Sequence, residues 1–587
     1  MNNYLLITLG HGASAIFVDN TTEKPNIIGY EQERLSRIKA DSQFPIDAIN
    51  EIKLNVEPHK IKGCTILISH WFNFTENNIP NKYISQNDIY WLKQISTDIK
   101  FVSPEFTHHD AHAYSAYAFY KYYCKKEQVQ INHTPVYCIV ADGFGNNEEV
   151  FSIYSVDLLN AEEKPKCIHR VYGYENSLGL FYQYATSFVG MKENQDEYKF
   201  LGYEAHINEV VDLETIDKIH TYYINSTVHN FIDNLLNHTE KISFENTNCI
   251  IDSSKLEGVK NFWYSIFTKL LKATNTEKND SFKARCIIAY FIQQTVEYVL
   301  CEIIQNFGIS NLCVAGGCFY NVKLNNRLLN TVSGYFSAMP LAGDQGAAIG
   351  MYEAEECVNM FPFDTLSFGK RRLYNFKKLV KDKSSITYIS KAQFVYDYEG
   401  VVKMIAGHIA NGEIVDLVTG DMEFGPRALC NTSTIFLPTT ENVKCNNIMN
   451  KRNEVMPCAP ICTYENAIAL FDKNNIDRVI GSNRFMICTH EYKRGYSNQY
   501  GGVMHKKTLE DNTYTGRPQI VEEGTLMYNV LKKVEELTDT KCLVNTSFNA
   551  HGNPIVFDTT EIMQNFNFQV EHSKPGKSPI LIVIDNK

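Results

Sequence analysis

Three apolar runs in this chain stop abruptly on small or acidic residues: YLLITLG at 4–10, VYCIVADG at 136–143 and NLCVAGG at 311–317. Runs of this length, rich in aliphatic residues and closed by glycine or aspartate, predict buried strands, and TILIS at 65–69 predicts another. Functional groups in α/β proteins commonly sit where such strands end. The pattern therefore restricts the chain to a mixed α/β architecture and points to its glycine and aspartate turns. YLLITLG, HGAS and AIFVDN predict an opening strand pair around a glycine turn. A helix is predicted over about 284–307, where Ile287, Phe291, Val296, Val299, Leu300, Ile303 and Ile304 keep near-helical spacing and Gly308 stops it. Residues 206–283 are polar and predicted to be helical, which reads as an insertion.

At 587 residues the chain exceeds one hydrophobic core, and the size prior gives about two to four domains. A basic, weakly patterned stretch, FGKRRLYNFKKLVKDKSS at 368–385, places the boundary near 370–395. With 44% hydrophobic and 21% charged residues, the composition excludes a mainly disordered chain. The net charge of −11 excludes a global positive field that would draw in nucleic acid or an anionic membrane. Anionic ligands would have to be held by individually placed Lys, Arg and backbone amides. The 16 cysteines are scattered without a CxxC pair, Cys458 and Cys462 being spaced CxxxC, and are expected to be reduced thiols. The start lacks a leader pattern and no run approaches the roughly 18 apolar residues of a membrane helix, so a cytoplasmic protein without a membrane partner is expected.

Chemistry gathers in the turns. His108 and His112 in FTHHDAHA lie four apart, which on a helix stacks both imidazoles for a divalent metal or for a hydrogen-bonded pair. Asp142 in VADGFG and Asp344 in LAGDQG are carboxylates surrounded by glycine, open to a metal or phosphate, or serving as Asp-Gly turns. Gly316 and Gly317 follow a strand and precede a polar helical start, an arrangement whose amides can receive phosphate. With Asp344 they look like the paired phosphate loops of the actin and sugar-kinase-like superfamily.

Together the motifs carry a resemblance. GHGASA at 10–15, EQERLSRIKADSQFP at 31–45, HHDAHA at 108–113, ADGFG at 141–145, SLGLFY at 177–182 and EYKFLG at 197–202 match the NodU/CmcH family of O-carbamoyltransferases. So do AGGCFYN at 315–321, AGDQGAAIG at 342–350, MEFGPRALCNTS at 422–433, GRPQIV at 516–521 and NTSFNAHGNPIV at 545–556. The resemblance implies a duplicated actin/sugar-kinase-like domain over 1–370, a linker over 371–395 and a YrdC-like α/β domain over 396–587. It implies that the second domain joins carbamate from carbamoyl phosphate to AMP from ATP, releasing pyrophosphate. The first then moves the carbamoyl group to an acceptor hydroxyl beside an iron-type metal, with Mg accompanying ATP. A homodimer is also implied.

Carried over by position, His108, His112, Asp344 and Asp142 are the metal ligands, and His11 is the base for the acceptor hydroxyl, or else a turn histidine of the first hairpin. Lys39 matches a cation for the adenylate phosphate, or else is a solvated helix-face lysine. Gly316, Gly317 and Asn321 fall among the nucleotide contacts. Arg427 in EFGPRAL is the anion anchor, or else an arginine buried against a structural carboxylate, with Arg517, Asn545, Ser547 and Asn549 around it, and Lys451 and Arg452 add charge in a register ambiguous by one residue. Three positions depart from the family: Met456 stands where an arginine is usual, and Cys430 and Thr432 replace a glycine and an arginine. The insertion at 206–283 is available for acceptor contacts, or simply solvated. By default the acceptor is a natural product or sugar. The alternatives are a hydroxymethylated pyrimidine in DNA, threonylcarbamoyl transfer to tRNA, and a non-catalytic nucleotide sensor. An enclosed path between the two sites is expected, because carbamate and its adenylate decompose in water.

Overall fold

The computed structural model describes residues 2–72, 82–103, 105–129, 135–157, 164–237, 251–356, 361–373, 376, 385–452, 458–495, 499–507 and 513–585. Two five-stranded sheets of identical design form the first part of the molecule. In the first, β1 (Tyr4–Thr8), β2 (Ser14–Asp19) and β3 (Asn26–Glu31) make an antiparallel meander, and β4 (Thr65–Ser69) and β5 (Ile99–Phe101) extend it parallel to β1. The second repeats this with β6 (Val136–Ala141), β7 (Glu149–Val156) and β8 (Lys166–Tyr172) as the meander and β9 (Asn311–Ala315) and β10 (Phe336–Ala338) as parallel additions. This internal duplication is the actin/sugar-kinase-like pattern. It also sets His11, after β1, and Asp142, after β6, at equivalent strand ends.

The helix Phe282–Asn306 begins at the Ser281 cap, whose hydroxyl accepts from the Ala284 amide, and ends before Gly308 at φ +61°. By length and composition it reaches the span of a membrane helix, which corrects the sequence expectation that no run does so. Its packing accounts for this, since 78% of the apolar window is buried inside the protein. Of the two expectations for 206–283, acceptor contacts or simple solvation, the second is corrected as well. Helices Asn225–Asn237 and Ser253–Ala273 send Phe231, Leu235, Trp263 and Phe267 into the core beside Phe181 and Phe291. Residues 238–250 of that segment lie outside the described residues.

The later part is a seven-stranded mixed sheet. Its strands are β12 (Ile386–Ile389), β13 (Val415–Thr419), β15 (Thr432–Phe436), β16 (Ala459–Cys462), β20 (Gln519–Ile520), β21 (Leu543–Ser547) and β22 (Ile580–Ile584), in the order β12-β22-β13-β15-β21-β16-β20. Smaller pieces are β11 (Ser367–Gly369) paired with β14 (Met422–Glu423), and a three-stranded sheet of β17 (His490–Glu491), β18 (His505–Lys506) and β19 (Tyr514–Gly516). The stretch expected as a linker thus carries β12, paired in parallel with β22, and the helix Lys391–Tyr396. Residues 374–375 and 377–384 of that stretch are not described.

Within β13 the fully buried Asp416 accepts a hydrogen bond from Thr434 Oγ1 at 2.5 Å, and burial pushes its carboxyl up from 3.8 to about 7. At about pH 6 the group is neutral in the fold and ionised in the unfolded chain, so its contribution to stability falls as pH rises from about 4 through 7. Asp416→Asn should flatten that fall and add ~2–4 kcal/mol at about pH 8, as measured by denaturant unfolding at a series of pH values. An unchanged pH slope would show that Asp416 ionises freely in the fold.

Candidate active site

The helix His108–Lys126 starts with a reciprocal cap: Thr107 Oγ1 accepts from the Asp110 amide at 3.3 Å, and Asp110 Oδ2 accepts from the Thr107 amide at 2.8 Å. The cap fixes the first turn, from which His108 and His112 project on one face, their Nε2 atoms 3.1 Å apart. His109 turns the other way and meets Ser152 Oγ at 2.9 Å. Asp142, just past β6, directs Oδ1 to the amides of Gly143 (2.8 Å) and Gly317 (3.2 Å), which leaves Oδ2 at 3.4 Å from both His108 and His112. Asp344, in the loop after β10, brings Oδ1 to 3.3 Å from His108 and 3.8 Å from His112. One donor atom from each of the four residues lies within 4.8 Å of every other.

This group suits a divalent cation. Burial opposes a charge on His108, yet the hydrogen bonds it donates to the carboxylates of Asp142 and Asp344 hold its imidazole up at about 10. Asp142 is held well below the usual carboxylate range: burial works against this, and the two imidazoles overcome it. Two nitrogen and two oxygen donors, in a space that stabilises positive charge this strongly, could hold a metal ion.

Asp142 and Asp344 open onto a cavity of about 860 Å³, which His11, Lys39, Gly317 and Asn321 also line. His11 stacks on Trp71 with ring centroids 5.7 Å apart and planes 6° apart, and Trp71 stacks in turn on His70. Gly10, at φ +81°, is required here, because a Cβ would fall 1.9 Å from the indole. Lys39 Nζ donates to Glu33 at 2.8 and 3.0 Å. Asn321 caps the helix Val322–Thr331 and donates to Gln293 Oε1 at 2.7 Å. The phosphate-loop reading of Gly316 and Gly317 needs correction, since their amides donate to Ala342 O (2.8 Å) and to Asp142 Oδ1 (3.2 Å). These glycines fix the carboxylate and its loop.

The same cavity is lined by Arg427, Arg452, Arg517, Asn545, Ser547 and Asn549. Glu423 shapes the loop bearing Arg427 by accepting from the amides of Leu429, Asn431 and Thr432 at 2.8, 2.8 and 2.9 Å. Burial pushes Arg427 down to about 10, and burial together with Arg427 lowers Arg517 further. Among the described residues neither guanidinium has a carboxylate within ion-pair distance, so an anionic ligand would complete both. Arg452 is fixed by Thr546 Oγ1 (2.5 Å), the Ser547 carbonyl (3.0 Å) and Asn549 Oδ1 (3.0 Å). Asn545 Nδ2 donates to Ala428 O at 2.9 Å and to Gln519 Oε1 at 2.7 Å, which ties β21 to the Arg427 loop.

Lys451 and Arg452 point in different directions, and Arg452 lines the cavity. Lys451 is exposed, outside the cavity lining, with Nζ 5.1 Å from the Phe568 ring centroid, so it leaves the set of ligand contacts. Met456 lies outside the described residues. Thr432 is buried and donates to Glu423 Oε2 at 2.6 Å, and the buried Arg371 donates to its hydroxyl. Cys430, at φ +79°, is turned toward Gln519. The sequence reading passed over Trp71, Tyr198, Lys199 and Tyr320, all of which line the cavity. Tyr320 donates to Gln345 Oε1 at 3.2 Å, accepts from the Gly343 backbone and lies within electrostatic reach of Arg427. Three of these signals were present, since Tyr198 and Lys199 stand inside EYKFLG and Tyr320 inside AGGCFYN.

A family model described as the carbamoyltransferase N-terminus matches residues 89–352, and one described as the carbamoyltransferase C-terminus matches residues 406–572. The chain belongs to the carbamoyltransferase family. The carbamoyltransferase is 25% identical to an uncharacterized protein of Methanocaldococcus jannaschii over 95% of both chains. It is 26% identical to nodulation protein NolO of Bradyrhizobium diazoefficiens, over 47% of this chain and 50% of NolO. With nodulation protein U of Azorhizobium caulinodans it shares 28% over 45% and 44% of the two chains. Among solved structures, T. kodakarensis HypF aligns over 61% of this chain and 48% of its own at 12% identity and a TM-score of 0.30. P. abyssi Sua5 aligns over 34% and 52% at 15% identity and a TM-score of 0.23. Similarity at that level adds nothing to the topology read from the sheets.

The ligand set is tested directly in the purified carbamoyltransferase. Plasma emission spectroscopy should find one transition-metal ion per chain, and His112→Ala should weaken its retention by about a hundredfold or more with the fold intact by circular dichroism. Equal metal content in the two proteins would remove His112 from the ligands.

Proposed function

We propose that this carbamoyltransferase performs two reactions within one cavity. Carbamoyl phosphate is hydrolysed to carbamate and inorganic phosphate. A carbamate oxygen then attacks the α-phosphorus of ATP, giving carbamoyl-adenylate as pyrophosphate leaves. An acceptor hydroxyl next attacks the carbamoyl carbon, the C–O bond to AMP breaks, and the hydroxyl proton passes to a base. The observation that carries this reading is the shared lining: Asp142 and Asp344 face the same space as Arg427, Arg452 and Arg517. An intermediate made at the guanidiniums reaches the carboxylates within one continuous space.

Arg427 and Arg517 supply the anion site for ATP and carbamoyl phosphate, and Arg452, fixed by the β21 loop, is a third cation beside it. Lys39 faces the adenylate. His11, held flat on Trp71, is the base for the acceptor hydroxyl. A divalent ion of the iron type, held by His108, His112, Asp142 and Asp344, would polarise carbamoyl or phosphate oxygens as a Lewis acid. A cavity of about 860 Å³ favours a compact acceptor, a natural product or sugar, beside the nucleotide. Its wall carries both signs, with Lys199 paired to Asp196 at 2.9 Å and Lys260 to Glu193 at 3.8 Å beside Glu197 and Glu257.

With ATP and carbamoyl phosphate the enzyme should release pyrophosphate, and Arg427→Ala should cut that release by about a hundredfold or more. His112→Ala should keep adenylate formation within about threefold while abolishing transfer. The reverse pattern would exchange the roles of the two sites, and stable ATP binding without turnover would sink the enzyme reading. A mass search for the gain of one carbamoyl group, across hydroxylated metabolites and hydroxymethylated DNA, identifies the acceptor.

A further inference from the structure

Between β3 and the helix Ile46–Asn55 runs a short segment whose side chains serve both ends of the cavity. Arg34 on it is fully buried. Its Nη2 donates to Gly425 O at 2.7 Å and lies 2.9 Å from Glu31 Oε2, which itself accepts from the Gly425 amide at 3.1 Å. The Gly425 peptide is therefore gripped at both its donor and its acceptor. It has no freedom on its other side: at φ +99°, a Cβ would fall 2.5 Å from Leu341 Cδ2, three residues before Asp344. Arg427 follows two residues later. The other branch of the guanidinium, Nη1, donates to Glu33 Oε1, and the Glu33 carboxylate accepts from Lys39 Nζ and, at 2.9 Å, from the Ala40 amide.

We propose that Arg34 is the positioning residue that holds Arg427 and Lys39 in register across the cavity, through Gly425 on one branch of its guanidinium and Glu33 on the other. The inference deepens the two-reaction reading above and rests on it for its kinetic consequence. A buried arginine between two carboxylates is a poor device for stability alone, because apolar packing of the same volume serves as well. Its planar fork can meet two separate acceptors in fixed directions, whereas a lysine has a single charged head. The geometry therefore assigns to Arg34 a function that charge alone does not satisfy.

Arg34→Lys in the full-length protein separates these roles. Hydrogen exchange followed by mass spectrometry should show residues 424–429 and 36–41 both exchanging about tenfold faster or more, with the rest of the protein unchanged. In kinetics, KM for ATP in pyrophosphate release should rise about tenfold with kcat altered less than about threefold, and transfer should fall by a similar factor. Loss confined to one segment, or to one half-reaction, overturns the proposal, as does wild-type behaviour in both. If Arg34→Lys does not fold, Glu33→Gln replaces it: residues 36–41 should then loosen while 424–429 stay protected, and loosening of both or of neither overturns the two-branch assignment. The exchange measurement is independent of turnover. A wild-type protein that releases no pyrophosphate would therefore sink the functional reading while leaving the positioning role to be decided on its own result.

Discussion

Two carboxylates and two imidazoles forced into one buried space are the constraint around which this protein is arranged. Asp142 and Asp344 arrive from strand ends about two hundred residues apart in sequence, and His108 and His112 from the first turn of a capped helix. Like-charged carboxylates at such range repel unless positive charge lies between them. The surrounding features act as supports for that arrangement. Thr107 and Asp110 set the helix start, the amides of Gly143 and Gly317 orient Asp142, and the carbonyl of Ala342 anchors Gly316.

The second constraint is the seam between the early sheets and the seven-stranded sheet. The loop carrying Arg427 is shaped internally by Glu423 and externally by Glu31, Arg34 and Leu341. Arg37 adds donors to the carbonyls of Ile555 and Pro554 at 2.8 and 2.9 Å, on the far side of the same cavity. One short segment near the start of the chain thus touches both the Arg427 loop and the loop at 554–555 that lines the same cavity. Chemistry at the two ends of the cavity is consequently tied to the same rigid wall.

Much of this was legible in the sequence, for a physical reason. The metal group depends on residue types with few other uses in such company: histidines one helical turn apart, and aspartates among glycines at strand ends. Individual strands announced themselves through apolar runs of strand length, whereas no internal repeat was legible in the residues and the duplication of the sheets came only from the family resemblance. What stayed hidden depends on contacts that close over hundreds of residues. Nothing local distinguishes Lys451, which lies over Phe568, from Arg452, which is bound to Ser547 and Asn549. The pair at Gly316 and Gly317 reads as a phosphate loop until Asp142 and Ala342 are seen to occupy the amides. The polar composition of 206–283 concealed a narrow stripe, Phe231, Leu235, Trp263 and Phe267, sufficient to bury two helices. Trp71 carries no motif at all, and its value lies in the imidazoles stacked on its two sides.

Strand order in the later sheet has a bearing on how the molecule is made. β22, at residues 580–584, lies between β12 (386–389) and β13 (415–419), pairing in parallel with both. A nascent chain leaving the ribosome therefore presents β12 and β13 with the slot between them open while more than a hundred and fifty intervening residues are translated. Until β22 arrives, two exposed strand edges await a partner, and chaperone protection during synthesis matters most in that interval. The part of the cavity lining that carries Arg427, Arg452 and Arg517 is therefore completed last.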